Sequence, residues 1–118
     1  MKQPMPYTQV NKNFTWRMSG GKTIKPSEME TRHLFMTLIL IWNNVMPGEV
    51  RIQRSGHWTH HDRPFGPMYG ARYLAAAIPA LAAELWTRND VKPEWEVTLD
   101  VMAEHVTAGR AKWLDSNT

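Results

Sequence analysis

Apolar residues crowd into two runs, 34–42 and 74–86, while the first fifteen residues and the stretch 47–70 are mostly polar. Within the runs, spacing separates helix from strand. Met29, Leu34, Phe35, Leu38, Ile41, Trp42 and Val45 share one helical face. Ser27 followed by Glu30 is a capping-box pair, in which each side chain satisfies the other's end of the first turn. A first helix over 28–45 is therefore expected, with the short continuous run 36–42 readable as a strand if the cap is ignored. Ile39 and Leu40 widen the apolar arc, so this helix should be the most buried. Asn43-Asn44 and Met46-Pro47-Gly48 end it.

Leu74, Ala77, Ile78, Leu81 and Leu85 form the stripe of a second helix, starting at Gly66-Pro67. Its many alanines permit close packing, and Pro79 in its middle predicts a kink. Trp95, Leu99, Met102 and Val106 mark a third helix, opened by Lys92-Pro93-Glu94 and closed by Gly109. The acids Glu94 and Glu96 suit its positive end. The short connection 89–92 suggests that the second and third helices are antiparallel neighbours. Ahead of them, 14–18 and 22–24 alternate around Ser19-Gly20-Gly21, a hairpin signal. Val50 and Ile52 alternate with Arg51 and Gln53 and could add a third strand. The reading is α+β and mainly helical: three main helices with an antiparallel pair, and a small N-terminal β-hairpin. It divides into a mobile arm 1–13, one domain over 14–109 and a polar tail 110–118.

The chain has 118 residues, one domain's worth, and no cysteine. That removes disulfides, thiolate metal sites and cysteine nucleophiles. The start has no apolar signal core, and no apolar run approaches the roughly 20 residues of a membrane span. A soluble cytoplasmic protein is expected. The net charge is only +3, but it is uneven. Residues 1–72 carry ten Lys and Arg against four Asp and Glu, a net +6, and residues 73–118 carry four against seven, a net −3. One basic side and one acidic side suit docking to something anionic.

Chemistry-bearing residues gather in 51–72. His57, His60, His61 and Asp62 are of the types that ligate zinc or manganese, so a divalent metal is a possible cofactor there. The order His33, His61-Asp62, Asp100 resembles the ligand pattern of HD-domain phosphohydrolases. That resemblance implies a metal-activated water acting on a phosphoester. The chain departs from the family in that Arg63-Pro64-Phe65-Gly66-Pro67 follows the dyad and cannot continue a helix. Serines lie in turns, a cap or the tail, without a nucleophile motif.

Arg17, Arg51, Arg54 and Arg63 alternate with Trp16, Trp58 and Tyr69. Cations beside aromatics suit either a protein hot spot or unpaired bases on a phosphate backbone. Residues 31–36 (TRHLFM), 41–44 (IWNN) and Met46-Pro47, about a third of the chain, resemble segments of small phage- and prophage-encoded accessory proteins. The resemblance implies action by binding host or phage machinery, as anti-CRISPR proteins do. Members that mimic DNA are strongly acidic; this basic chain fits direct docking instead. A non-enzymatic binding protein for a protein or nucleoprotein target is the leading expectation. A direct nucleic-acid binder and a metal-dependent hydrolase are the alternatives.

Overall fold

The structure, a computed structural model, describes residues 4–52 and 69–117. Two glycines set its first turn. Gly20 and Gly21 hold φ of 83° and 82°, a region that a Cβ makes costly and glycine enters freely. The chain reverses there, and the Met18 N–H donates to the Lys22 carbonyl at 2.7 Å. β1 (Trp16–Arg17) and β2 (Thr23–Ile24) then pair antiparallel, Trp16 opposite Ile24 and Arg17 opposite Thr23. The predicted hairpin is present. So short a pairing is marginal alone, and its stability comes from Trp16, which is buried in the common core.

The first long helix begins later than the capping-box pair suggests. Pro26–Glu28 forms a single 3-10 turn, closed by Glu28 Oε1 accepting the Lys25 N–H at 3.3 Å. Met29 then returns to extended backbone, with φ −82° and ψ 143°. Glu28, not Glu30, reaches back, and Ser27 lies inside the turn rather than capping a helix. Helix α1 runs Thr31–Val45, and nine of its 15 residues are buried, against four of 15 in α3 (Pro93–Thr107). Leu34, Phe35, Leu38, Ile39, Ile41 and Trp42 are all fully covered. They spread over more than one face, so the helix is central rather than amphipathic. It ends at Met46, which is extended as residues before proline prefer.

No strand follows. Gly48–Val50 is another 3-10 turn, and the sheet of the described residues holds β1 and β2 alone. The expected strand at Val50 and Ile52 is replaced by side-chain pairing. Asn43 Oδ1 accepts the Ile52 N–H at 2.8 Å, and Asn43 Nδ2 donates to the Ile52 carbonyl at 3.1 Å. One buried amide thus does what a neighbouring strand would do. Trp42 Nε1 donates to the Val50 carbonyl at 2.9 Å. The chain leaving α1 is therefore bound by the side chains of α1 itself.

Helix α2 runs Ala71–Thr87, with Gly70 at its N-cap; the predicted start at Gly66-Pro67 lies outside the described residues. It passes through buried Pro79 without interruption. Buried Ala75, Ala77 and Ala82 let α1 come close, and α1 with α2 is the most extensive helix–helix approach among the described residues. Arg88, just past α2, bonds Thr31 at the start of α1, as in an antiparallel pair. α1 and α2 thus form an antiparallel pair, and their approach is more extensive than that of the second and third helices, which the 89–92 connection suggests as the pair. Helix α3 joins α1 through Trp95, stacked on Phe35 at 4.8 Å and 13°. Pro93 opens it as predicted.

Gly109 closes it with φ 75°. The Gly109 N–H bonds the Val106 carbonyl at 3.1 Å and the Arg110 N–H bonds the His105 carbonyl at 2.9 Å, the pair of bonds that defines a Schellman cap. The segment beyond is not simply a polar tail. Lys112–Ser116 forms a short helix α4, and Ala111 and Leu114 are buried. Residues 4–13 adopt no helix or strand, yet Tyr7 is buried and meets Trp86 edge-on at 6.2 Å. Both ends of the described chain therefore rest on the core.

Candidate functional site

Tyr69 and Tyr73 lie four residues apart around the start of α2, one helical turn, and both face the hairpin. Tyr73 stacks on Phe14 at 5.1 Å and on Trp16 at 5.9 Å. Tyr69 tilts against Trp16 at 5.4 Å. Four aromatic rings thus join the hairpin to the helix, in the offset and tilted arrangements that ring quadrupoles prefer.

The two hydroxyls bind backbone. Tyr73 donates to the Thr15 carbonyl at 2.7 Å and accepts the Arg17 N–H at 2.8 Å. Tyr69 donates to the Arg17 carbonyl at 2.6 Å. A strand this short exposes backbone groups at its edge; here two phenols take the place of a third strand. Burial raises the pKa of Tyr73, and the bond and positive charge from Arg17 pull it partly back. The Arg17 guanidinium lies over the Tyr73 ring, 4.1 Å from its centre, a cation–π contact.

Of the seven residues predicted to form a docking surface, three come together here: Trp16, Arg17 and Tyr69. Trp16 is buried, however, so it positions the others and does not present a face to a partner. Its alternation with Arg17 and Thr15 reads as half-exposed strand; the covering tyrosines lie more than fifty residues away. Arg51 lies just beyond α1, where its Nε donates to the Met46 carbonyl at 2.9 Å. Arg54, Trp58 and Arg63 lie outside the described residues, as do His57, His60, His61 and Asp62. His33 is on α1 and Asp100 on α3. Among the described residues no three histidines or carboxylates gather in a way that could hold a metal.

Lys22 in the hairpin turn, Lys25 just after β2 and Arg72 in the first turn of α2 are exposed. A groove of about 290 Å³ passes beside the aromatic cluster, lined by Phe14 and Lys12, by Lys25 and Pro26, and by Glu84 of α2. Sequence reading misses Phe14 and Tyr73 as members of the site. A signal for them exists: two aromatics two apart on a strand and two aromatics four apart on a helix each share one face.

Sequence reading also misses Arg88, at the far end of α2. Its Nη2 donates to the carbonyls of Met29 and Pro26 at 2.8 and 3.2 Å, and its Nη1 to Thr31 Oγ1 at 3.0 Å. Its Nε bonds Glu84 Oε2 at 2.9 Å. Thr31 Oγ1 in turn donates to Asp90 Oδ1 at 2.6 Å. One guanidinium therefore ties the turn before α1, the start of α1 and the end of α2 together. Its donors are directed inward, so this end of α2 is structural.

No helix among the described residues is long and apolar enough to cross a membrane. Comparison of the chain with protein-family models, with curated proteins and with solved structures gives no match.

Proposed function

We propose that the chain is a non-enzymatic binding protein, of the phage-accessory kind, that docks a protein or nucleoprotein target. The docking face comprises the hairpin, the start of α2 and the connection from Arg51 to Arg72. The observation that carries this reading is the aromatic cluster. It fixes Tyr69 and Tyr73 with four rings and three hydrogen bonds to backbone. Binding residues on loops need that kind of rigid root. Exposed Lys22, Lys25 and Arg72 give the face a positive rim, which steers an anionic partner and selects against a basic one.

Direct nucleic-acid binding is the weaker reading. Stacking with unpaired bases needs open ring faces, and the Trp16 ring is buried against Tyr69 and Tyr73. The metal-dependent hydrolase reading rests on His57, His60, His61 and Asp62, outside the described residues. The phage-type resemblance rests largely on Leu34, Phe35, Ile41 and Trp42, all core positions of α1; the docking face draws nothing from them.

The test is affinity for a purified partner with Arg72→Ala and Arg51→Ala. Weaker binding is expected from either variant, with unchanged thermal unfolding for Arg72→Ala and a small fall for Arg51→Ala, which loses its bond to the Met46 carbonyl. Unchanged affinity in both would contradict the proposal. Affinity that falls steeply with salt and vanishes on nuclease treatment would transfer the assignment to nucleic acid.

A further inference from the structure

The groove of about 290 Å³ beside the aromatic cluster is built by three separate parts of the chain: the N-terminal segment over 10–14, the turn at 25–27 and α2. On α2 its lining residues are Ala80, Ala83, Glu84 and Thr87, which recur every three or four positions and so form one stripe along the helix. At 80 and 83 a methyl group stands where a longer side chain would fill the depression. With Val10 and Phe14, these alanines make the lining mainly apolar.

The charges of the groove are one-sided. Lys12 comes from the N-terminal segment and Lys25 from the turn, and both are exposed. Among the described residues neither ammonium has a carboxylate partner. The one acid of the lining, Glu84, is already matched, because Arg88 Nε donates to its Oε2 at 2.9 Å. An entering anion therefore meets two uncompensated cations, and an entering cation is repelled by them. Phe14 is buried and stacked on Tyr73, so it offers no open face to a nucleic-acid base. The volume lies at the lower edge of the roughly 300–1,000 Å³ of sites that enclose a small molecule, which suits a few side chains of a longer segment.

We infer that this groove takes a short segment of the protein partner in which an aliphatic side chain lies next to an aspartate or glutamate. The aliphatic group covers Ala80 and Ala83, and the carboxylate reaches Lys12 and Lys25. The inference rests on the docking reading and specifies its partner, since Phe14 and Lys25 belong to both the groove and the docking face.

The test is panning of a displayed random-peptide library on the full-length protein, followed by NMR titration with the enriched peptides. Enriched sequences are expected to place Leu, Ile or Val beside Asp or Glu, and to shift the amide signals of Val10, Lys12, Phe14, Ala80 and Ala83 saturably. Replacing the acid by its amide should weaken binding at least fivefold. Lys12→Glu combined with Lys25→Glu should weaken it at least tenfold; both side chains are exposed, so the core is untouched. Ala83→Leu fills the groove with another strong helix former and should abolish binding while the circular dichroism spectrum is kept. No enriched peptide, enriched peptides without an acid, or equal affinity for the charge-reversed protein would overturn the inference. Panning needs no partner, so such a failure would leave the Arg72→Ala and Arg51→Ala test of the docking face standing.

Discussion

The two ends of α2 are both anchored to the N-terminal half of the chain, by opposite chemistry. At the start, Tyr69 and Tyr73 hold β1 with neutral hydroxyls and stacked rings. At the end, Arg88 holds the turn before α1 with one charged fork. The difference is in what each leaves at the surface. The aromatic end carries exposed Lys22, in the hairpin turn, and exposed Arg72, in the first turn of α2. The arginine end turns its charge toward carbonyls, Thr31 and Glu84. A half-buried arginine is thus a clamp in one place, while exposed basic residues beside a neutral anchor form the face proposed for docking in the other.

The strongest way to break that comparison is Arg88→Ala. It removes charged hydrogen bonds to the Met29 carbonyl, Thr31 and Glu84 from a side chain 19% exposed. A loss of about 3 kcal/mol in stability is expected by urea denaturation. Arg88→Lys should recover little, because an ammonium cannot reproduce the fork. A loss under about 1 kcal/mol would show that the clamp contributes no more than an ordinary hydrogen bond.

At the other end, Tyr73→Phe should cost about 1.5 kcal/mol, since it strips a partner from both the Thr15 carbonyl and the Arg17 N–H. Tyr69→Phe loses one bond, to the Arg17 carbonyl, and should cost about 1 kcal/mol. Denaturation curves for the pair check the order. Equal or reversed losses would mean that ring packing, not the hydroxyls, holds β1.

The smallest effect is expected away from both ends, at His105, and serves as a control. Burial first, then the positive Arg110, lower its pKa, with Glu104 opposing. Arg110 Nε donates to His105 Nδ1 at 2.9 Å, a bond that protonation of Nδ1 would break. The folded imidazole therefore releases its proton more readily than the unfolded one. Its contribution is complete above the unfolded value, about pH 6.5, and fades as pH falls through the lowered folded value. Arg110→Ala should raise the His105 pKa in an NMR titration. A wild-type value at or above that of free histidine would contradict this.

Much of the fold is legible in local signals. Gly20-Gly21 and Gly109 mark places where only positive φ closes a turn, and both turns form. Pro93 opens α3, and the run through Trp42 makes α1 the buried centre. What is illegible depends on partners distant in sequence, or on one local pattern serving two structures. An acid three residues after a turn start closes a 3-10 turn as well as a helix, so the pattern misplaces the start of α1. Alternation at Val50 and Ile52 looks the same whether a strand or the Asn43 amide completes the pairing. Arg88 shows only a spacing of four from Glu84; its carbonyl partners lie about sixty residues back. For the site, Trp16, Arg17 and Tyr69 stand out by composition, while burial of Trp16 requires Tyr73, which carries no charge to draw notice.

The measurement that tests the docking face most directly is co-elution on size exclusion from a lysate of the source cells. Wild-type protein is compared with a Lys22→Glu, Arg72→Glu double variant, with nuclease-treated samples in parallel. Both positions are exposed, so folding should be unchanged. The account predicts that wild type moves to higher mass with a discrete protein partner, with or without nuclease, and that the charge-reversed variant elutes alone. Wild type eluting alone, or a variant that keeps the same partner, would contradict it.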